Sequence, residues 1–227
     1  MYVIRKSTIT LTAVLLASVL TLCFGFAAFS SAKASAPAPF TVVLDAGHGG
    51  VDPGVLGVNT KIKESDINLA IVKLLRARFA EAGFRVVLTR KNEGGLYGAA
   101  TAGYKRRDMQ KRRDVIRNSS PSAVISVHQN NFISDRSRRG GQVFFKPNDA
   151  QSRNLSEHIQ RELNRLSKKN LQPLRGDYYV LNCSSFPSVI VECGFLSNSE
   201  DEALLCSEAY RERVADAVFY GTLSYFS

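Results

Sequence analysis

Cysteine is scarce in this chain: four residues in 227, one of which, Cys23, falls in an apolar N-terminal stretch. The other three, Cys183, Cys193 and Cys206, are odd in number and fit no zinc-finger spacing. That argues against a disulfide framework and against a cysteine-ligated structural zinc. Cys193 directly follows a strand-like run and reads as a small buried hydrophobe, because no residue pattern beside it marks a nucleophile. Histidine is rarer still, with three residues. Acidic residues are absent before Asp45, and no internal repeat or second linker interrupts the chain after residue 39.

The N-terminus differs from the rest. Arg5 and Lys6 precede a mostly apolar stretch from Ile9 to Phe29, and Ala32-Lys33-Ala34 then fits a small-x-small cleavage site. Residues 1–34 read as a signal peptide or as an uncleaved membrane anchor, since the stretch is just long enough to span a bilayer. Basic residues ahead of it keep the N-terminus cytoplasmic either way. The domain is therefore expected outside the membrane. A lipoprotein reading of Leu20-Thr21-Leu22-Cys23 is disfavoured by Leu22, where lipidation prefers a small residue. Residues 35–39 form an Ala/Pro/Ser linker, and residues 40–227 are enough for one domain with a real core.

The formal charge is +10, of which the domain keeps about +7 once Arg5, Lys6 and Lys33 are set aside. The excess lies between Lys105 and Arg175, densest at Lys105-Arg106-Arg107 and Lys111-Arg112-Arg113; from Gly176 the chain turns acidic. A basic surface outside the membrane suits an anionic cell-wall polymer better than nucleic acid. The competing reading is an ordinary solvated helix face.

Strand-like and helix-like segments alternate, which predicts one α/β domain with a twisted, mostly parallel sheet flanked by helices. Strands are expected at 40–44, 85–89, 123–128, 142–145, 178–181 and 188–192. Helices are expected at 64–82, 105–118, 153–169 and 207–225. The first carries an apolar stripe of Ile67, Ala70, Ile71, Leu74, Leu75 and Phe79 and stops at Gly83. Residues 92–103, rich in glycine, are expected to be a mobile loop.

Three polar side chains stand at the ends of strand-like runs: His48 in Leu44-Asp45-Ala46-Gly47-His48-Gly49-Gly50, His128 in Ile125-Ser126-Val127-His128, and Glu192 in Val189-Ile190-Val191-Glu192. In open α/β sheets, sites form where loops leave the carboxyl ends of strands. Glu64 opens the helix after the first strand, at the same sheet edge. Two imidazoles and a carboxylate are the ligand set of a hydrolytic zinc site with a position left for water, so His48, Glu64 and His128 are the candidate ligands of one Zn²⁺ per chain. Glu192 is then free to act as general base. A lone strand-end histidine is more often structural than ligating; two of them with two placed acids shift the balance. His158, beside Leu155 and Ile159 in a helix, has no such partners and reads as structural.

Taken together these segments resemble the zinc-dependent N-acetylmuramoyl-L-alanine amidases of the Amidase_3 type. Residues 44–54 resemble the first signature of that family. Lys63-Glu64-Ser65-Asp66-Ile67-Asn68-Leu69 resembles the second, Ile125 to Asn130 the second-histidine signature, and Pro187 to Asn198 the catalytic-glutamate signature. Leu88-Thr89-Arg90 and Arg112-Arg113 also fit. The resemblance implies a zinc held by His48, Glu64 and His128, a catalytic Glu192, and hydrolysis of the amide joining the lactyl group of N-acetylmuramic acid to L-alanine. Peptidoglycan is then the partner, with Asn130, Arg112 and Arg113 as candidate substrate contacts. The layout and the wording Val191-Glu192-Cys193-Gly194-Phe195 resemble the germination-specific amidases of spore-forming bacteria, which act on spore cortex. Many relatives carry an arginine near the positions of Asn182 and Cys183; Arg175 is the candidate substitute. A protein activator and, with an uncleaved N-terminus, the membrane are further expected partners. The competing classes are a non-catalytic wall-binding protein, another zinc wall hydrolase such as a deacetylase or carboxypeptidase, and a basic nucleic-acid binder.

Overall fold

Short β-branched runs alternating with amphipathic helices build a three-layer domain. The computed structural model describes residues 40–227; the signal or anchor reading of residues 1–34 and the linker at 35–39 lie outside the described residues. The elements are β1 (Thr41–Ala46), α1 (Glu64–Glu81), β2 (Arg85–Leu88), α2 (Tyr104–Ser119), β3 (Ala123–Asn130), β4 (Gln142–Phe145), α3 (Ala150–Ser167), β5 (Leu174–Arg175), α4 (Tyr179–Asn182), β6 (Ser188–Phe195), α5 (Ser199–Cys206) and α6 (Glu208–Phe226). The six strands form one sheet in the order β2-β1-β3-β6-β4-β5. The first four in that order run parallel. β4 is antiparallel to β6, and β5 runs with β4. Among the described residues no helix is long and apolar enough to cross a membrane.

Strand alternation decides what each face carries. Val42 and Leu44 of β1, Ile125 and Val127 of β3, and Val189 and Val191 of β6 pack with Ile67, Ile71, Leu75 and Phe79 of α1, Leu155 and Ile159 of α3, and Val214 and Val218 of α6. On the other face Val43, Val124 and Ile190 meet Ile116 of α2 and Val180 and Leu181 of α4. Each fully buried aliphatic or aromatic side chain contributes about 1.5–3 kcal/mol. The same parity puts Asp45, Ser126, His128 and Glu192 on the α2 face, so the polar chemistry gathers on one side of the sheet.

Two expectations are corrected and one helix is added. The run Tyr178–Leu181 is not a strand: the edge beyond β4 is taken by the two-residue β5, and Tyr179–Asn182 coils into α4, burying Val180 and Leu181 against α2. A short apolar run has no period long enough to separate the two states. The closing helix expected at 207–225 is present as α6, and a helix not expected from the sequence, α5, precedes it and ends at Ser207, whose backbone is extended. The earlier of these is capped by Asn198, whose side chain accepts the N–H groups of Glu200 and Asp201, each at 3.0 Å. The glycine-rich segment 92–103 is docked rather than free. Arg107 donates to the carbonyls of Tyr97, Ala99 and Ala102, Asp108 accepts Leu96 N–H at 2.5 Å, and the Tyr97 hydroxyl accepts Val51 N–H at 2.7 Å.

Candidate metal centre

The turn after β1 carries His48 in the left-handed region, at φ 61°, a conformation costly for a residue with a Cβ. Two buried arginines hold it there. Arg90 donates to the carbonyls of Ala46 (2.8 Å), Gly47 (3.1 Å) and Ser65 (2.7 Å). Arg112 donates to Ala46 O (2.7 Å) and His48 O (2.6 Å), while its other donors pair with Asp45 (2.5 Å) and Asp108 (2.6 Å). Asp45 also accepts from Thr89 and Ser126. Burial opposes its ionisation, yet the Arg112 charge and those hydroxyls hold its carboxyl at about 2.

His48, Glu64 and His128 come together: one ligand atom from each lies within 4.8 Å of the others. Glu64 Oε1 is 3.3 Å from His48 Nε2 and 3.0 Å from His128 Nδ1. Burial disfavours the Glu64 carboxylate, but hydrogen bonds and charge from the two imidazoles win and hold it well below the usual range. Its backbone-facing lone pairs are met as well, by Gln129 N–H on Oε1 at 3.1 Å and Val55 N–H on Oε2 at 2.9 Å. His48 Nδ1 lies 3.1 Å from Asp52 Oδ2. Burial lowers the basicity of this imidazole, but Glu64 and Asp52 more than offset it and the pKa is raised. A carboxylate on the far nitrogen is the arrangement that fixes a metal-ligating histidine. Asp52 was not among the sequence candidates; its place four residues after His48 in a glycine-rich turn was the available signal.

Close approach needs glycine at two points. A Cβ on Gly47 would stand 2.1 Å from His128 Cε1, and one on Gly54, at φ 68°, would stand 2.3 Å from Glu64 Oε2.

Glu192 is the register partner of His128 across β3 and β6. Its Oε2 is enclosed and has no hydrogen-bond partner, and burial pushes its pKa up to about 7. A donor set of two imidazoles and a carboxylate, with an unpartnered carboxyl oxygen enclosed beside it, fits a divalent metal with a water to be deprotonated. A cavity of about 260 Å³ opens over His48 and His128, walled by Tyr97, Tyr104, Tyr178 and Tyr179.

Of the other candidates, Arg112 is buried in the ion-pair network beneath the His48 turn, which it positions, and it also lines the cavity over His48. Arg113 is partly exposed and paired with Asp114. Arg175 on β5 is level with Phe145 and, through it, with Val189, three residues short of Glu192 and two strands away. It borders a separate hollow and not the His48 cavity. Asn130 ends β3 just past a bulge, its Oδ1 accepting Asn131 N–H. His158 bonds Ser224 between α3 and α6, as a structural residue would. Cys193 is fully enclosed and burial pushes its thiol well above the usual range, unsuited to a nucleophile.

A mostly parallel sheet flanked by helices brings two histidines and two carboxylates to one edge, an α/β domain with a candidate metal site. Residues 42–223 match the family model described as N-acetylmuramoyl-L-alanine amidase, Amidase_3. The chain is 32% identical over 192 residues to the germination-specific N-acetylmuramoyl-L-alanine amidase of Bacillus subtilis, covering 82% of this chain and 79% of that one. It is 29% identical to the amidase LytC of the same organism, over 35% of that protein's length. Among solved structures, the CwlD amidase from Clostridioides difficile, in complex with the GerS lipoprotein, superposes with a TM-score of 0.78 at 37% identity, covering 82% of this chain and 98% of that one. The chain belongs to the Amidase_3 family of N-acetylmuramoyl-L-alanine amidases. It is a peptidoglycan hydrolase that cleaves the amide between N-acetylmuramic acid and the L-alanine of the stem peptide.

Proposed function

We propose that this amidase works with one Zn²⁺ held by His48, Glu64 and His128, with Glu192 as its proton carrier, and that its substrate is spore-cortex peptidoglycan. The observation that carries the reading is the convergence of the three ligand atoms within 4.8 Å beside the unpartnered Glu192 Oε2. When bound, zinc supplies Lewis acidity and lowers the pKa of a water molecule to about 7. The protein supplies the rest. Asp52 keeps His48 Nδ1 occupied so that Nε2 faces the site. Glu192, with its pKa near neutrality, accepts the proton of the attacking water and delivers it to the leaving amine of L-alanine. The water's oxygen bonds to the lactyl carbonyl carbon as its C–N bond to L-alanine breaks; one water proton goes to the leaving nitrogen through Glu192, and the other leaves with the new lactyl carboxyl group.

Cortex as the substrate, and a step toward muramic δ-lactam, are supported by likeness to the germination-specific relative. Likeness to an amidase solved with a lipoprotein supports a protein partner for this chain too. The N-terminal segment would carry the domain across the membrane, cleaved or as an anchor. Basic side chains on the outer side of helix α2, the exposed Lys111 and the half-buried Arg113 among them, would hold the anionic wall. The test is mass spectrometry of cortex and vegetative peptidoglycan after incubation with the purified domain and zinc. Free L-alanine amino termini, intact glycan strands and faster release from cortex are expected. Release of amino acids from the peptide's far end, or loss of acetyl groups, would replace the assignment with a carboxypeptidase or deacetylase. Equal release from both walls would remove the cortex assignment.

A further inference from the structure

Resting on the amidase reading, we infer that the substrate is oriented across the centre: its sugar ring docks in the tyrosine-walled cavity, and its peptide leaves over the opposite hollow. Two hollows lie at the candidate centre, one over its histidines and one beside Val55 and Asn131, and they differ in chemistry. One contains His48 and His128 themselves. Its walls are Tyr97 and Tyr104, in edge contact at 5.2 Å, and Tyr178 and Tyr179 from the start of α4. Tyr178 and Tyr179 are 42% and 47% exposed, an unusual cost for two adjacent large rings unless something covers them. Tyr178 is propped on Phe144 at 5.6 Å, which holds its ring in place. The hydroxyl of Tyr97 is fixed by Val51 N–H, so this wall is tied to the His48 turn. The lining is mainly carbon. Its one exposed cation, Lys105, lies 3.7 Å from Asp52.

The other hollow is lined by Val55, Lys61, Asn131, Ile133 and Arg136 among others. It adjoins the centre through Val55, whose N–H donates to Glu64, and through Asn131, three residues past His128. Arg136 forms no ion pair among the described residues, and Ile133 is 66% exposed.

The two arms of the substrate differ in the same way. A pyranose presents C–H groups on one face and hydroxyls at its rim. Tyrosine matches both, with an apolar ring and a polar tip. A peptide arm ends in a carboxylate and needs a cation, which the second hollow has and the first does not offer free. Docked in this way, the scissile amide lies between the hollows, over the ligands and within reach of Glu192.

The experiment compares two soluble substrates with the same scissile amide: a muramyl peptide, and the corresponding lactyl peptide lacking the sugar. The readout is the ratio of their kcat/KM values within each protein, so a loss of folded fraction cancels. Unmodified protein should favour the muramyl peptide. Tyr178→Ala and Tyr179→Ala should each lower that ratio by roughly tenfold, the scale of one desolvated aromatic contact. Arg136→Glu should leave the ratio as it is and instead reduce the gain obtained by lengthening the peptide. An unchanged ratio in both tyrosine variants would overturn the orientation, and so would a tyrosine effect that tracks peptide length. Cleavage of neither substrate by unmodified protein would be a failure of the amidase reading, distinct from either.

Discussion

His128 and Glu192 are direct register partners on two parallel strands, so a candidate metal ligand and the acid beside it are held at a fixed separation by the backbone hydrogen bonds of the sheet. The carboxyl of Glu192 is raised to about 7 by burial, with Glu64 adding to the effect and the histidines opposing it. A raised carboxyl pKa means the folded chain binds this proton more firmly than the unfolded one. Stability of the chelator-treated domain should therefore fall as pH rises from about 4.5 through 7. The carboxyl is enclosed, so the contribution is on the order of 3 kcal/mol across that range. Urea unfolding of Glu192→Gln in chelator should show that slope flattened. An identical slope in both proteins would refute the assignment of the shift.

Arg112 neutralises Asp45 and Asp108 beneath the His48 turn. Arg112→Met leaves Asp45 buried without its cation, and losses of about 3–5 kcal/mol are expected. The pH dependence should change with it. In the unmodified protein the depressed Asp45 pKa contributes stability above about 4, and this is lost as pH falls toward 2. In the variant, acidification from pH 7 to 4 should stabilise instead. Thermal melts across that range would decide it, and a variant that melts like the parent would contradict the network.

Gly47→Ala places a methyl where the His128 ring stands. The ring can swing away on its own side chain, so the fold should survive with a change in Tm of only a few degrees. Metal binding should not survive at parental affinity. Metal analysis after gel filtration is the measurement; full metal content in a folded Gly47→Ala protein would show that His128 is not a ligand.

Lys111 lies on the exposed side of α2. Lys111→Glu should weaken retention on purified cell wall, and added salt should do the same to the parent protein, since exposed charges are screened beyond about 10 Å at 0.1 M. Turnover of a small muramyl peptide should change little. Loss of both activities together would point to misfolding.

Much of the site was legible because each functional side chain ends an apolar run. His48, His128 and Glu192 interrupt β-branched segments where a buried strand would carry another aliphatic, and Glu64 opens a strongly periodic helix. Their meeting at one edge follows from parallel topology. What could not be read is what depends on a partner distant in sequence. Arg90 and Arg112 stand in polar or basic segments that suggest solvent, and only the folded chain shows them threaded under the β1 turn. β5 is two residues long and exists by pairing with β4. Tyr178 and Tyr179 belong to a run too short to have a period. The segment 92–103 is glycine-rich like a mobile loop, yet Arg107, Asp108 and Val51 pin it.

The most direct test measures zinc and turnover together in Glu192→Gln and in the His48→Ala, His128→Ala double variant. Near-stoichiometric zinc is expected in Glu192→Gln with turnover on peptidoglycan reduced by about 10²–10⁴-fold or more, and loss of both zinc and turnover in the double variant. Zinc lost from Glu192→Gln, near-full turnover in that variant, or zinc retained without both histidines would contradict the roles assigned to these residues.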